Sequence, residues 1–138
     1  MEEQEYRDTY QSINERRCVF EKTINSRRCT CRQSQRFHLA DREGIACKSA
    51  TGNALCSTFL DSMRSNARFA LHITSVHGPL PHAKEIKVQT GGLLGLQGLI
   101  RPAHADDSNV DNAIGLIDAA IEKYGSIDAL PYDIIVQA

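Results

Sequence analysis

Apolar positions recur along the chain at helical intervals in four places, and those intervals set the expected architecture. Residues 3–17 place Tyr6, Tyr10, Ile13 and Arg17 on one face, at spacings of four, three and four. Leu55, Phe59, Met63, Ala67 and Ala70 form a second stripe, with Thr51 as its expected cap and Cys56 in its first turn. A third runs through Ile86, Thr90, Leu93, Gln97 and Ile100 and stops at Pro102, which cannot continue a helix. The fourth and best formed carries Val110, Ile114, Ile117, Ile121 and Tyr124, with Ser108 expected to cap it and Gly125 suited to its end.

Between these stripes the periodicity fails. From Arg27 to Lys48 neither the helical nor the strand period is sustained, so an irregular loop is expected. HGPLPH, residues 77–82, reads as a turn or extended stretch because a residue before proline avoids the helical region. IIVQA at the C-terminus suits a short strand or a docked tail. The sum is a mostly α, small α or α+β protein. It is expected to be a single domain over 1–138, in which an irregular cysteine-rich part (1–56) rests on a helical core (57–138).

Composition changes this picture little, since 41% apolar and 24% charged residues are ordinary for a folded chain of 138 residues. The distribution of charge says more than the formal net of −1. Nine Lys or Arg lie between Arg16 and Lys48 against Glu21, Asp41 and Glu43, which leaves about +6 in that segment. The first ten residues are acidic and polar, unlike a secretory signal, and no apolar run is long enough to span a bilayer. A cytoplasmic, reducing location without membrane insertion is therefore expected, where disulfides are a poor explanation for cysteines.

The chemistry lies in those cysteines. Cys18, Cys29, Cys31, Cys47 and Cys56 fall within 39 residues, and the remaining 82 residues after Cys56 contain none. Four thiolates satisfy a tetrahedral zinc or an iron–sulfur cluster. No C-x2-C knuckle is present, which argues against an ordinary structural zinc site, and the usual ferredoxin spacings are absent too. RRCTCR is too polar for a core segment, so the expected ligands are Cys29, Cys31, Cys47 and Cys56. Cys18 is a spare ligand or a free thiol, and His38 could replace one cysteine. Arginines would offset thiolate charge and donate to sulfur, and a helix start would favour a Cys56 thiolate. Arg27, Arg28, Arg32 and Arg36 are the expected docking residues for a protein partner.

The expectation is thus a small iron–sulfur protein that transfers electrons or serves as an accessory subunit of a larger redox enzyme. The alternative is a zinc-stabilised binding module whose basic segment contacts nucleic acid or an acidic protein. Nucleic acid is the less favoured partner, because Phe20 and Phe37 are the only aromatic residues near the basic run. No nucleophile–base–acid pattern is legible, so no catalytic residue is assigned. GGLLGLQGLI lacks both the dinucleotide fingerprint and the Walker lysine, and its glycines suit close approach of another helix, within the chain or in a partner.

Overall fold

A computed structural model describes residues 2–14, 16–40, 42–67 and 81–136. It is mostly helical, with one two-stranded sheet. Helix α1 spans Glu3–Ile13 and a short α2 spans Glu21–Asn25. Strands β1 (Ser34–Leu39) and β2 (Arg42–Cys47) form an antiparallel hairpin in which Ser34 faces Cys47 and Leu39 faces Arg42. The long helices follow: α3 (Ala50–Ala67) and α4 (His82–Ile100). After a 3-10 turn at Pro102–His104 come α5 (Ala113–Tyr124), a second 3-10 turn and α6 (Tyr132–Ile135).

Helix α4 is the centre of the fold, packed against α2, α3, α5 and α6. Its Leu93 and Leu96 are fully buried, so the glycine-rich leucines are core rather than an exposed patch. A Cβ added at Gly92 would lie 3.1 Å from two atoms of Met63, so this glycine sets the distance between α3 and α4. Helix α3 contributes Phe59, Leu60 and Met63, and α5 contributes Leu116, Ile117 and Ala120. Phe20, Ile24, Cys29 and Ile45 join the same cluster, so both halves of the chain share one core.

Several elements differ from the periodicity reading, each for a local reason. The expected loop at 27–48 contains the hairpin. Its alternation is weak because β1 exposes Gln35, Arg36 and His38, while only Gly44 and Ile45 of β2 turn a mostly apolar face inward. The Phe37 ring occupies the space above Gly44, its partner across the ladder, and stacks on Tyr10 at 5.6 Å. Helix α1 ends at Ile13, short of Arg17, and buries none of its own residues.

The expected caps are replaced as well. Ser49, not Thr51, caps α3: its Oγ accepts from Gly52 N at 2.9 Å, and Thr51 lies inside the helix. Asn112, in the left-handed region at φ 52°, precedes α5 in place of Ser108, whose carbonyl instead accepts from Arg28. Gly125 ends α5 at φ 94°, as its conformational freedom allows. Residues of IIVQA fold into α6 rather than a strand. Ala70, His72 and most of HGPLPH lie outside the described residues.

Candidate metal centre

Four segments converge on one small cavity. Cys18 reaches it from the loop ahead of α2, where its N–H donates to Ile45 O at 2.9 Å and its carbonyl accepts from Glu21 N at 3.2 Å. Cys31 enters from the turn before β1, fixed by Ser34, whose N–H and Oγ both donate to the Cys31 carbonyl. Cys47 ends β2; its N–H donates to Arg16 O at 2.8 Å and its thiol to Ser49 O at 3.3 Å. Cys56 comes from α3. These four thiols line the cavity together with apolar walls that include Phe20, Ile24 and Ile114.

The back wall is built by a long-range clasp. Arg32 N donates to Asn112 Oδ1 at 2.9 Å, Asn112 N to Thr30 Oγ1 at 3.2 Å, and Ala113 N to Thr30 O at 2.7 Å. This ties the Cys31 turn to the start of α5 and brings Ile114 beside the thiols. Gly52 makes room for it, since a Cβ there would sit 3.1 Å from the end of Ile114.

Cys29 is placed differently from its expected role. It is 3% exposed, pairs as an isolated bridge with Val110, donates its thiol to Thr30 O at 3.3 Å and does not line the cavity. Of the expected ligands, Cys31, Cys47 and Cys56 meet there, and Cys18 takes the fourth place. His38 is exposed on β1 opposite Glu43 and is not at the cavity. The basic residues stand apart from sulfur too: Arg27 and Arg36 pair with Glu43, Arg28 bonds Ser108 O, and Arg32 is exposed. None of the four lines the cavity.

Burial governs the thiols. It pushes Cys18 and Cys29 up to about 12, and it pushes Cys56 up as well, with neighbouring sulfurs adding to each. Cys56 is the seventh residue of α3, beyond its first turn, so the helix dipole does not counter this rise. The Phe20 N–H does favour a Cys18 thiolate, but by less than burial opposes it.

The donor chemistry fits a soft metal, and the geometry limits it. The cavity holds about 20 Å³, space for about one water-sized guest. Among the described residues no three His, Cys, Asp or Glu stand grouped to hold a metal ion. Tetrahedral zinc, with Zn–S of about 2.3 Å, needs sulfurs roughly 4 Å apart. A cluster with one thiolate on each iron spreads its ligands more widely but needs a larger chamber. Either guest therefore requires the thiols or the walls to adjust.

A second, polar cavity of about 300 Å³ touches the first at Cys18. It holds Arg64, whose Nε and Nη2 donate to the Glu85 carboxylate at 2.8 and 3.1 Å. Gln89 Nε2 donates to the same carboxylate at 2.9 Å, and Gln89 Oε1 accepts from Thr23 Oγ1 at 3.0 Å. No helix among the described residues is long and apolar enough to cross a membrane. No family model, curated protein or solved structure matches the chain.

Proposed function

We propose that the protein is a small iron–sulfur protein whose cluster is held by Cys18, Cys31, Cys47 and Cys56. It serves electron transfer or acts as an accessory subunit of a larger redox enzyme in a reducing compartment. One observation carries the reading: four of the five cysteines, drawn from separate segments, line one otherwise apolar cavity. Four sulfurs grouped without an acid or base beside them among the cavity-lining residues suit ligation better than thiol catalysis. An apolar wall also excludes water from a centre and raises the influence of nearby hydrogen-bond donors on its potential. Cys29 supports the site through backbone pairing, and the exposed rim with Arg27, Arg28, Arg32 and Arg36 is the face for an acidic partner.

A single zinc held by the same thiols is the second reading, favoured by the small size of the cavity. Iron, zinc and acid-labile sulfide analysis of anaerobically purified protein separates the two. Equal iron and sulfide with broad visible absorption is the expected result; stoichiometric zinc without sulfide selects the second reading. Cys29→Ser should keep the metal, whereas a Cys31→Ser, Cys56→Ser double variant should lose it. Full metal retention in that double variant would overturn the ligand assignment.

A further inference from the structure

Away from the thiol cavity, α1, the segment that follows it and Arg42 of the hairpin line an open groove of about 580 Å³, within the range of small-molecule sites. One wall carries two tyrosine rings, Tyr6 and Tyr10, with centroids 6.0 Å apart. Guanidinium groups lie against both: Arg42 is 4.3 Å from the centre of the Tyr6 ring and Arg17 is 5.2 Å from that of Tyr10. Arg17 is committed to Glu21 at 2.7 Å, which leaves Arg7 and Arg42 as the cations offered to the groove.

Both of those hold the same carboxylate. Glu3 bridges Arg42 at 2.7 Å and Arg7 at 3.4 Å, and all three side chains are at least half exposed. Exposed bridges of this kind contribute little to stability, on the order of 1 kcal/mol or less. The Arg42 contact holds the Glu3 carboxyl below its usual value, so the place between the two arginines favours an anion. The groove also contains Asn14, 7% exposed, whose Oδ1 accepts no hydrogen bond among the described residues.

We propose that this groove binds a nucleoside phosphate: Arg7 and Arg42 take the phosphate where Glu3 now sits, and the base stacks on the tyrosine wall. Arginine forks match phosphate oxygens, and a dianion replaces the single charge of Glu3 without stranding either cation. Flat rings stack on tyrosine whatever their sequence context. Glu3 is then an internal stand-in for the ligand, which gives the proposal a sign that a generic basic surface lacks. It rests on no feature of the thiol cavity.

The test titrates the full chain with adenosine monophosphate, adenosine, inorganic phosphate and a short single-stranded RNA. The chain has no tryptophan and four tyrosines, two of them in this groove, so tyrosine fluorescence reports binding alongside calorimetry. Glu3→Gln should tighten adenosine monophosphate about fivefold, and Arg42→Gln should weaken it by about tenfold or more. Adenosine alone and phosphate alone should each bind about tenfold more weakly than the nucleotide. RNA bound more tightly than the mononucleotide, with the same response to both variants, supports the site and places its ligand in a strand. The reverse order supports it and places the ligand free. Affinity unchanged or reduced by Glu3→Gln, phosphate binding as well as the nucleotide, or no binding by any of these probes overturns it.

Discussion

The two cavities that meet at Cys18 treat buried polarity in opposite ways. In the polar one, Arg64, Glu85, Gln89 and Thr23 answer one another with donors and acceptors at 2.8 to 3.1 Å. In the thiol one, four cysteines share apolar walls, and their few hydrogen bonds include Cys47 Sγ to Ser49 O and the Phe20 N–H to Cys18. The first is closed chemistry: it fixes how α2, α3 and α4 sit and leaves little for an outside group. The second gathers four soft sulfur donors and leaves most of their ligand capacity to a guest. Polarity that is internally complete reads as structure, and ligand chemistry gathered with few internal partners reads as function.

The sharpest way to break this contrast is to remove one member of the closed set. Arg64→Met leaves the Glu85 carboxylate, 1% exposed, without its bidentate partner. Losing one partner of a buried ion pair costs about 3–5 kcal/mol, which thermal denaturation would show as a large fall in Tm. Replacing both, Arg64→Met with Glu85→Leu, should recover most of that loss because the desolvation cost goes with the charges. A mild effect of Arg64→Met alone would mean that the network is not closed and belongs with the functional features.

Alkaline pH probes the thiol side next. Cys18 and Cys29 have folded values near 12 against an ordinary 9.0, so in the metal-free protein they are neutral where unfolded thiols ionise. The unfolded chain therefore binds fewer protons between about pH 9 and 12, and stability must fall as pH rises through that window. Below about 9 the contribution is fully present. Chemical denaturation of metal-free protein should show this slope, and a Cys18→Ala, Cys29→Ala variant should make it shallower, the remainder coming from Cys56. A profile that is level above pH 9 in the unaltered protein would deny the burial that the cavity geometry implies.

The sequence made the helical scaffold legible and left the site only half legible, for reasons that particular residues show. Phe59, Met63 and Ala67 on α3 announce burial through local spacing that chain neighbours alone determine, whereas α5 buries Ala113, Leu116, Ile117 and Ala120, of which Ile117 alone lies on its predicted stripe. The clasp of Thr30 and Arg32 onto Asn112 joins positions about 80 residues apart and carries no periodic signal. It nonetheless decides which cysteines meet. The polarity of RRCTCR suggested that Cys29 and Cys31 act together, but Cys29 is held at the Val110 bridge with its thiol on Thr30 O while Cys31, in the turn before β1, lines the cavity. Cys18, distant in sequence, is brought in by its backbone bond to Ile45 on β2. The tyrosines of α1 had an apolar-stripe signal, but nothing local placed Arg42 of β2 over Tyr6.

The smallest expected effect gives the finest test, because it separates folding from binding at a single wall position. Gly52 lies in α3 and lines the thiol cavity. Alanine there gains up to about 1 kcal/mol of helix propensity. Against this, its Cβ would come 3.0 Å from Ser49 Oγ, the cap of α3, and 3.1 Å from Ile114 Cδ1, and such crowding costs about 1–3 kcal/mol before relaxation. Ile114 is only partly buried and can shift, so the two contributions nearly offset and Tm should fall by no more than a few degrees. A cavity that already holds about one small guest has no such slack. Metal content per chain in Gly52→Ala should therefore drop well below that of the unaltered protein while the fold persists. Unchanged metal content at unchanged Tm would show that the centre does not occupy this cavity and would return Cys29 to the candidate ligands.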